Sequence, residues 1–68
     1  MIDREKTVLF EVEDVEAESD KAILVDIDGV KLWVPKSQID EESEVYSKKS
    51  GGGLLVVSRW WAEQKGLV

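Results

Sequence analysis

The chain has 68 residues, three tryptophans, no cysteine and no histidine, and a formal charge of −6. A domain of that size buries only about 60% of the surface its unfolded chain exposes, and the missing residue types exclude a disulfide framework, a thiolate metal site and histidine-based catalysis. The apolar runs are short and broken by charges, and Met1 is followed by Ile-Asp-Arg-Glu, so a soluble cytoplasmic protein with no leader and no membrane span is expected.

The charge excess is local. Residues 1–20 hold eight acids against Arg4 and Lys6, whereas residues 21–68 balance seven acids with seven bases. The first predicted strand is Thr7–Val12, with Val8, Phe10 and Val12 on one side and Glu11 and Glu13 on the other. Residues 13–20, EDVEAESD, carry five acids in eight positions and read as a solvated acidic loop.

Residues 21–27 and 30–34 are two apolar, β-branched runs separated by Asp28-Gly29. Asp-Gly is a strong hairpin signal, because a type I′ turn needs positive φ at both central residues. The alternative is a calcium loop, since D-x-D-G resembles its middle. It fails on spacing: with Asp26, Asp28 and Gly29 at loop positions three, five and six, Leu24 and Pro35 would occupy the first and last ligand positions. A two-residue turn pairs Ile27 with Val30, Asp26 with Lys31, Val25 with Leu32, Leu24 with Trp33 and Ile23 with Val34. Ile23, Val25, Ile27, Val30, Leu32 and Val34 then share the core face, and Ala22, Leu24, Asp26, Lys31 and Trp33 the opposite one. Asp26 and Lys31 are expected to form a cross-strand charge pair. Trp33 is either covered by another element or offered to a partner.

Pro35 cannot donate to a ladder and ends this strand; the following residues read as one helical turn that drops Ile39 inward. Residues 44–47 and 54–57 are predicted as a second hairpin closed by a Gly-rich loop at 48–53. Its glycines do not make a phosphate loop, because no Lys-Ser or Lys-Thr follows them. Leu54-Leu55-Val56-Val57 is apolar on both faces and requires cover on both sides. The cover expected is a helix over residues 59–65, with Ser58 as N-cap and Gly66 as the left-handed stop, Leu67 folding back toward Ala62 or Trp61. Adjacent helical positions point about 100° apart, so one of Trp60 and Trp61 should anchor the helix and the other be partly exposed. The whole is predicted as a single domain over residues 1–68. It is all-β apart from that helix: a five-stranded barrel or curved antiparallel sheet, SH3-like in preference to OB-like because the chain is short.

Residues 21–40 (KAILVDIDGVKLWVPKSQID), 43–46 (SEVY), 55–57 (LVV) and 60–67 (WWAEQKGL) carry a resemblance. Together they resemble a group of small proteins or domains of unknown function from phages, prophages and related bacterial elements. The likeness covers the last two-thirds of the chain and is most distinctive at WVPKSQI and the A-E-x-K-G-L ending. It implies genomic company, with no catalytic or cofactor-binding residues to carry over, and the acidic first 20 residues fall outside it.

Three function classes are open to a chain of this composition. Catalysis is not expected, because Asp, Glu, Lys, Ser or Tyr would need a pKa shift from burial in a pocket of roughly 300–1,000 Å³, which so small a domain can hardly enclose; no cofactor and no metal are expected either. A single-stranded nucleic-acid module is the alternative, with Trp33 and the aromatic side chains stacking bases beside Lys36, Lys48, Lys49 and Arg59. An acidic chain opposes it, since phosphate contacts dominate such affinity. A protein-interaction module is preferred. Its contact residues would be Trp33, Leu24, Trp60, Trp61 and Tyr46, and Glu13, Asp14, Glu16 and Glu18 would steer a basic partner surface. In a phage-like setting it would serve as an adaptor or inhibitor of a host nucleic-acid-processing protein.

Overall fold

The computed structural model describes residues 6–68, so Asp3, Arg4 and Glu5 of the acidic N-terminal excess lie outside the described residues. In chain order the elements are strands β1 (Thr7–Val12), β2 (Val15–Glu18), β3 (Ala22–Ile27), β4 (Val30–Pro35) and β5 (Gly53–Ser58), then helix α1 (Arg59–Gln64). Single 3-10 turns occupy Lys36–Gln38 and Lys48–Ser50. The strands form two antiparallel sheets, ordered β2-β3-β4 and β1-β5. The all-β class, the count of five strands and the C-terminal helix agree with the sequence reading. The sheet order does not separate an SH3-like from an OB-like arrangement.

The β3–β4 hairpin has the expected register throughout, from Ile27 opposite Val30 to Ile23 opposite Val34. Asp28 and Gly29 take φ of 52° and 83°, the left-handed pair that a type I′ turn needs. The Asp26 carboxylate serves this turn, accepting from Gly29 N at 2.8 Å. The expected Asp26–Lys31 pair is therefore replaced: Lys31 Nζ reaches across to Glu16 Oε1 at 3.2 Å. On the core face Ile23, Val25, Ile27 and Val34 are buried and Leu32 packs against them. Val30, assigned to that face, is exposed at the hairpin tip, next to the turn.

The acidic segment is not simply a loop, and this is the main correction to the sequence reading. Val15-Glu16-Ala17-Glu18 forms β2, pairing Val15 with Val25, Ala17 with Leu24 and Glu18 with Ile23 across an irregularity at Glu16. Val15 is fully buried. Its alternation with glutamates is a half-buried strand pattern, which the density of carboxylates disguised. Asp14 Oδ1 accepts from Val15 N at 2.8 Å, holding the corner that enters the strand. Ser19 closes the turn out of it, donating its N–H to Ala22 O and accepting from Ala22 N on its hydroxyl.

The second hairpin is also corrected. β5 pairs with β1, from Thr7 opposite Ser58 to Val12 opposite Gly53, and residues 44–47 do not form a strand. They nevertheless run beside β5: Asp40 N donates to Val56 O and Glu44 N to Leu54 O, both at 2.8 Å. Between these bonds Ser43 takes the place of a backbone partner. Its hydroxyl accepts from Val56 N at 3.0 Å and donates to Val45 O at 2.7 Å. The expected Gly-rich loop starts as the Lys48–Ser50 turn, where Ser47 and Ser50 cap each other reciprocally.

Helix α1 begins at Ser58, whose hydroxyl accepts from Trp61 N. It ends one residue sooner than expected, with Lys65 as C-cap. Gly66, at φ 70°, then closes a Schellman motif: Gly66 N donates to Glu63 O and Leu67 N to Ala62 O. Trp61 and Ala62 enter the same apolar cluster as Ile23, Val25, Val45, Leu55 and Val57. The helix thus completes the main core, where the sequence suggested a cover over the outer sheet surface. Ile39 packs against the same cluster and bridges Val57, as expected of a plug.

Candidate interaction surface

The register places Ala17, Leu24 and Trp33 opposite one another on β2, β3 and β4, in one row across the sheet. Ile23, Val25 and Val34 point into the core, so Leu24 and Trp33 point away from it, and Ala17, paired with Leu24, shares their face. Ala17 and Leu24 are half-buried, and Trp33 ends the row with 49% of its surface exposed. Asp26 and Lys31 lie two residues farther toward the turn on the same face, about 7 Å along the strands.

That turn end opens into a groove of about 550 Å³ lined by Glu11, Glu13, Asp14, Glu16, Asp26 and Asp28. Three of these carboxylates are engaged: Asp14 by Val15 N, Asp26 by Gly29 N and Glu16 by Lys31. Glu11, Glu13 and Asp28 have no bonded partner among the described residues, and they leave the groove net negative. No three acids among the described residues converge as a metal site would require.

Other predicted contact residues are placed elsewhere. Trp61 is 3% exposed and Trp60 63%, so Trp61 is the anchor of the helix and presents no surface. Trp60 stands on α1, which packs on β1 and β5, away from the Ala17–Leu24–Trp33 row. Tyr46 is exposed beside Lys36 and Ile39, at a smaller depression of about 240 Å³.

Glu18 is bound within the molecule. Its carboxylate accepts from Lys36 Nζ and, at 2.9 Å, from Lys48 N. The Lys36 hydrogen bond first, and the Lys48 amide second, hold its pKa below the usual carboxylate value. Lys48 completes the junction by donating its ammonium to Val15 O and Glu16 O at 3.4 and 3.2 Å. Of the four cations expected beside nucleic acid, Lys36 and Lys48 are therefore spent on β2, Arg59 is half-buried and Lys49 is exposed. Sequence reasoning missed this junction, because residues 18, 36 and 48 are joined only by tertiary structure.

No family model, no curated protein and no solved structure matches the chain. No helix among the described residues is long and apolar enough to cross a membrane.

Proposed function

We propose that the chain is a non-catalytic protein-interaction module that takes a basic segment of a partner into the acidic groove, with Trp33 as the apolar anchor. The observation that carries this reading is the exposure of Trp33 at the end of the Ala17–Leu24–Trp33 row, beside a groove with three uncompensated carboxylates. An exposed indole is the side chain most enriched at interface hot spots, and it also receives a lysine or arginine through a cation–π contact. The negative groove speeds encounter with a positive surface. An adaptor or inhibitor acting on a host nucleic-acid-processing protein fits this chemistry, since such proteins present basic clefts.

The same placement weighs against single strands as ligand. Stacking on Trp33 would bring phosphates toward the acids, and two of the lysines needed to offset them are bonded to β2.

The test is affinity capture from cells of the native host, with Trp33→Ala as the matched control. Because Trp33 is half-exposed, the substitution should move stability by no more than about 1 kcal/mol. The wild type is expected to enrich a basic protein, in a salt-sensitive manner, that the variant loses. Capture that survives the substitution overturns the reading. So does binding of a short single-stranded oligonucleotide by the wild type, measured by calorimetry at low salt and absent in the variant.

A further inference from the structure

The edges of the sheets are treated differently. The outer edge of β2 is occupied by Lys48, whose ammonium binds the Val15 and Glu16 carbonyls. The edge of β5 opposite β1 is covered by the segment containing Asp40, Ser43 and Glu44. β4 ends its sheet with β3 as its ladder partner.

In the type I′ turn, Val30 N–H bonds back to Ile27 O, and bonded pairs alternate along an antiparallel ladder. The next bonded pairs are Val25 with Leu32 and Ile23 with Val34. The bond from Lys36 N to Lys21 O, at 2.7 Å, continues the alternation. Lys31 and Trp33 consequently direct their N–H and C=O groups away from β3, and no hydrogen bond among the described residues uses them. Pro35 points the same way and has no N–H to offer.

We propose that two copies of this chain associate through their β4 strands, antiparallel about a two-fold axis at Leu32. The donors and acceptors select this register. Centred on Leu32, each Lys31 lies opposite the partner copy's Trp33, and four backbone hydrogen bonds form. Centring on Lys31 sets two ammonium groups face to face, and centring on Trp33 sets Pro35 opposite Lys31 and loses donors. In the chosen register the exposed indole of one copy packs on the methylene stem of the other's Lys31, whose ammonium keeps its bond to Glu16, a contact made twice by symmetry.

Charge permits the pairing. A lysine on an edge strand ordinarily deters it, but the charge on Lys31 is balanced by Glu16 at 3.2 Å. The joined sheet would run β2-β3-β4-β4-β3-β2, which puts the two β2 strands five spacings apart, about 24 Å. That exceeds the Debye length of about 8 Å at physiological salt, so the acidic strands hardly repel each other. A short strand pair buries less than the roughly 1,200 Å² of a stable interface. The dimer is therefore a weak one, populated at high protein concentration.

The experiment is sedimentation velocity from micromolar to millimolar concentration on the wild type, Lys31→Ala and Lys31→Pro, with amide hydrogen exchange at both ends of the range. Lys31→Ala keeps the outward N–H and loses only the side chain; Lys31→Pro removes the N–H without touching the β3 ladder. The wild type is expected to shift reversibly toward a dimer as concentration rises, with slowed exchange at the Lys31 and Trp33 amides. Lys31→Ala should dimerise several-fold more weakly and Lys31→Pro not at all, both with thermal midpoints near each other. A wild type that stays monomeric to millimolar concentration overturns the proposal, as does a Lys31→Pro variant that dimerises like the wild type. Neither result bears on capture of a basic partner, which a monomer can perform.

Discussion

Gly29 and Gly52 show how one residue type meets two different demands. A Cβ at Gly29 would touch nothing within 4 Å, so the demand there is the φ of 83° alone. Replacing it with alanine should cost the left-handed penalty of about 1–2 kcal/mol. At Gly52 a Cβ would lie 2.0 Å from Glu13 O and 2.6 Å from Val12 O. Both obstacles are backbone, so the corner between β1 and β2 would have to move. Gly52→Ala should therefore destabilise more than Gly29→Ala, by about 2 kcal/mol or more on the scale of overpacked sites. Denaturant melts of the two variants compare them directly, and a Gly52→Ala midpoint at or above that of Gly29→Ala would mean that the corner is not packed against the glycine. The turn glycine was legible in the sequence, because Asp-Gly names its turn type. The packing glycine was not, because its neighbour stands 39 positions earlier in the chain.

Among the elements, β2 depends most on groups outside itself. Glu18 joins it to Lys36, at the end of β4, and to the Lys48–Ser50 turn. A carboxylate whose folded pKa is depressed stabilises the folded form above the ordinary carboxylate range, and that contribution is lost as pH falls through the lowered value. The amide proton of Lys48 reports the event, since it donates directly to Glu18. Its chemical shift should titrate with a midpoint below that of an unstructured glutamate, and the titration should vanish in Glu18→Gln. A midpoint at or above the ordinary value would show that the junction is open in solution. The hairpin and the helix stop were legible because local turn chemistry specifies them: Asp28-Gly29 fixes the register, and Gly66 the Schellman close. β2 and the segment beside β5 were not: carboxylates crowd the alternation in β2, and the segment is held to β5 by isolated bonds that link Asp40 N, Glu44 N and the Ser43 hydroxyl to residues ten or more positions away, which no local pattern announces. The Trp33 face of the candidate site followed from hairpin parity. The groove beside it did not, because it needs β1, β2 and the turn together.

At the scale of the whole molecule, one aromatic closes the core. Domains of this length have a total stability of about 3–10 kcal/mol, and truncating a buried tryptophan costs about 3–5 kcal/mol. Trp61→Ala should therefore lower the thermal midpoint by more than about 10 °C, whereas Trp60→Ala should melt close to the wild type. Equal losses would mean that the two indoles share the anchoring. The three tryptophans also give the molecule an optical anatomy. Trp61, at 3% exposure, is shielded from the solvent, while Trp33 and Trp60 meet water at 49% and 63%. Emission from Trp61 should be blue-shifted and inaccessible to iodide until the chain unfolds. Trp60 should be quenched freely. Trp33 is as open to water as its exposure implies, but it stands beside a negative groove that repels iodide and gathers caesium. The ratio of the two quenchers' efficiencies at Trp33 thus reads the local electric potential of the proposed docking face without any label.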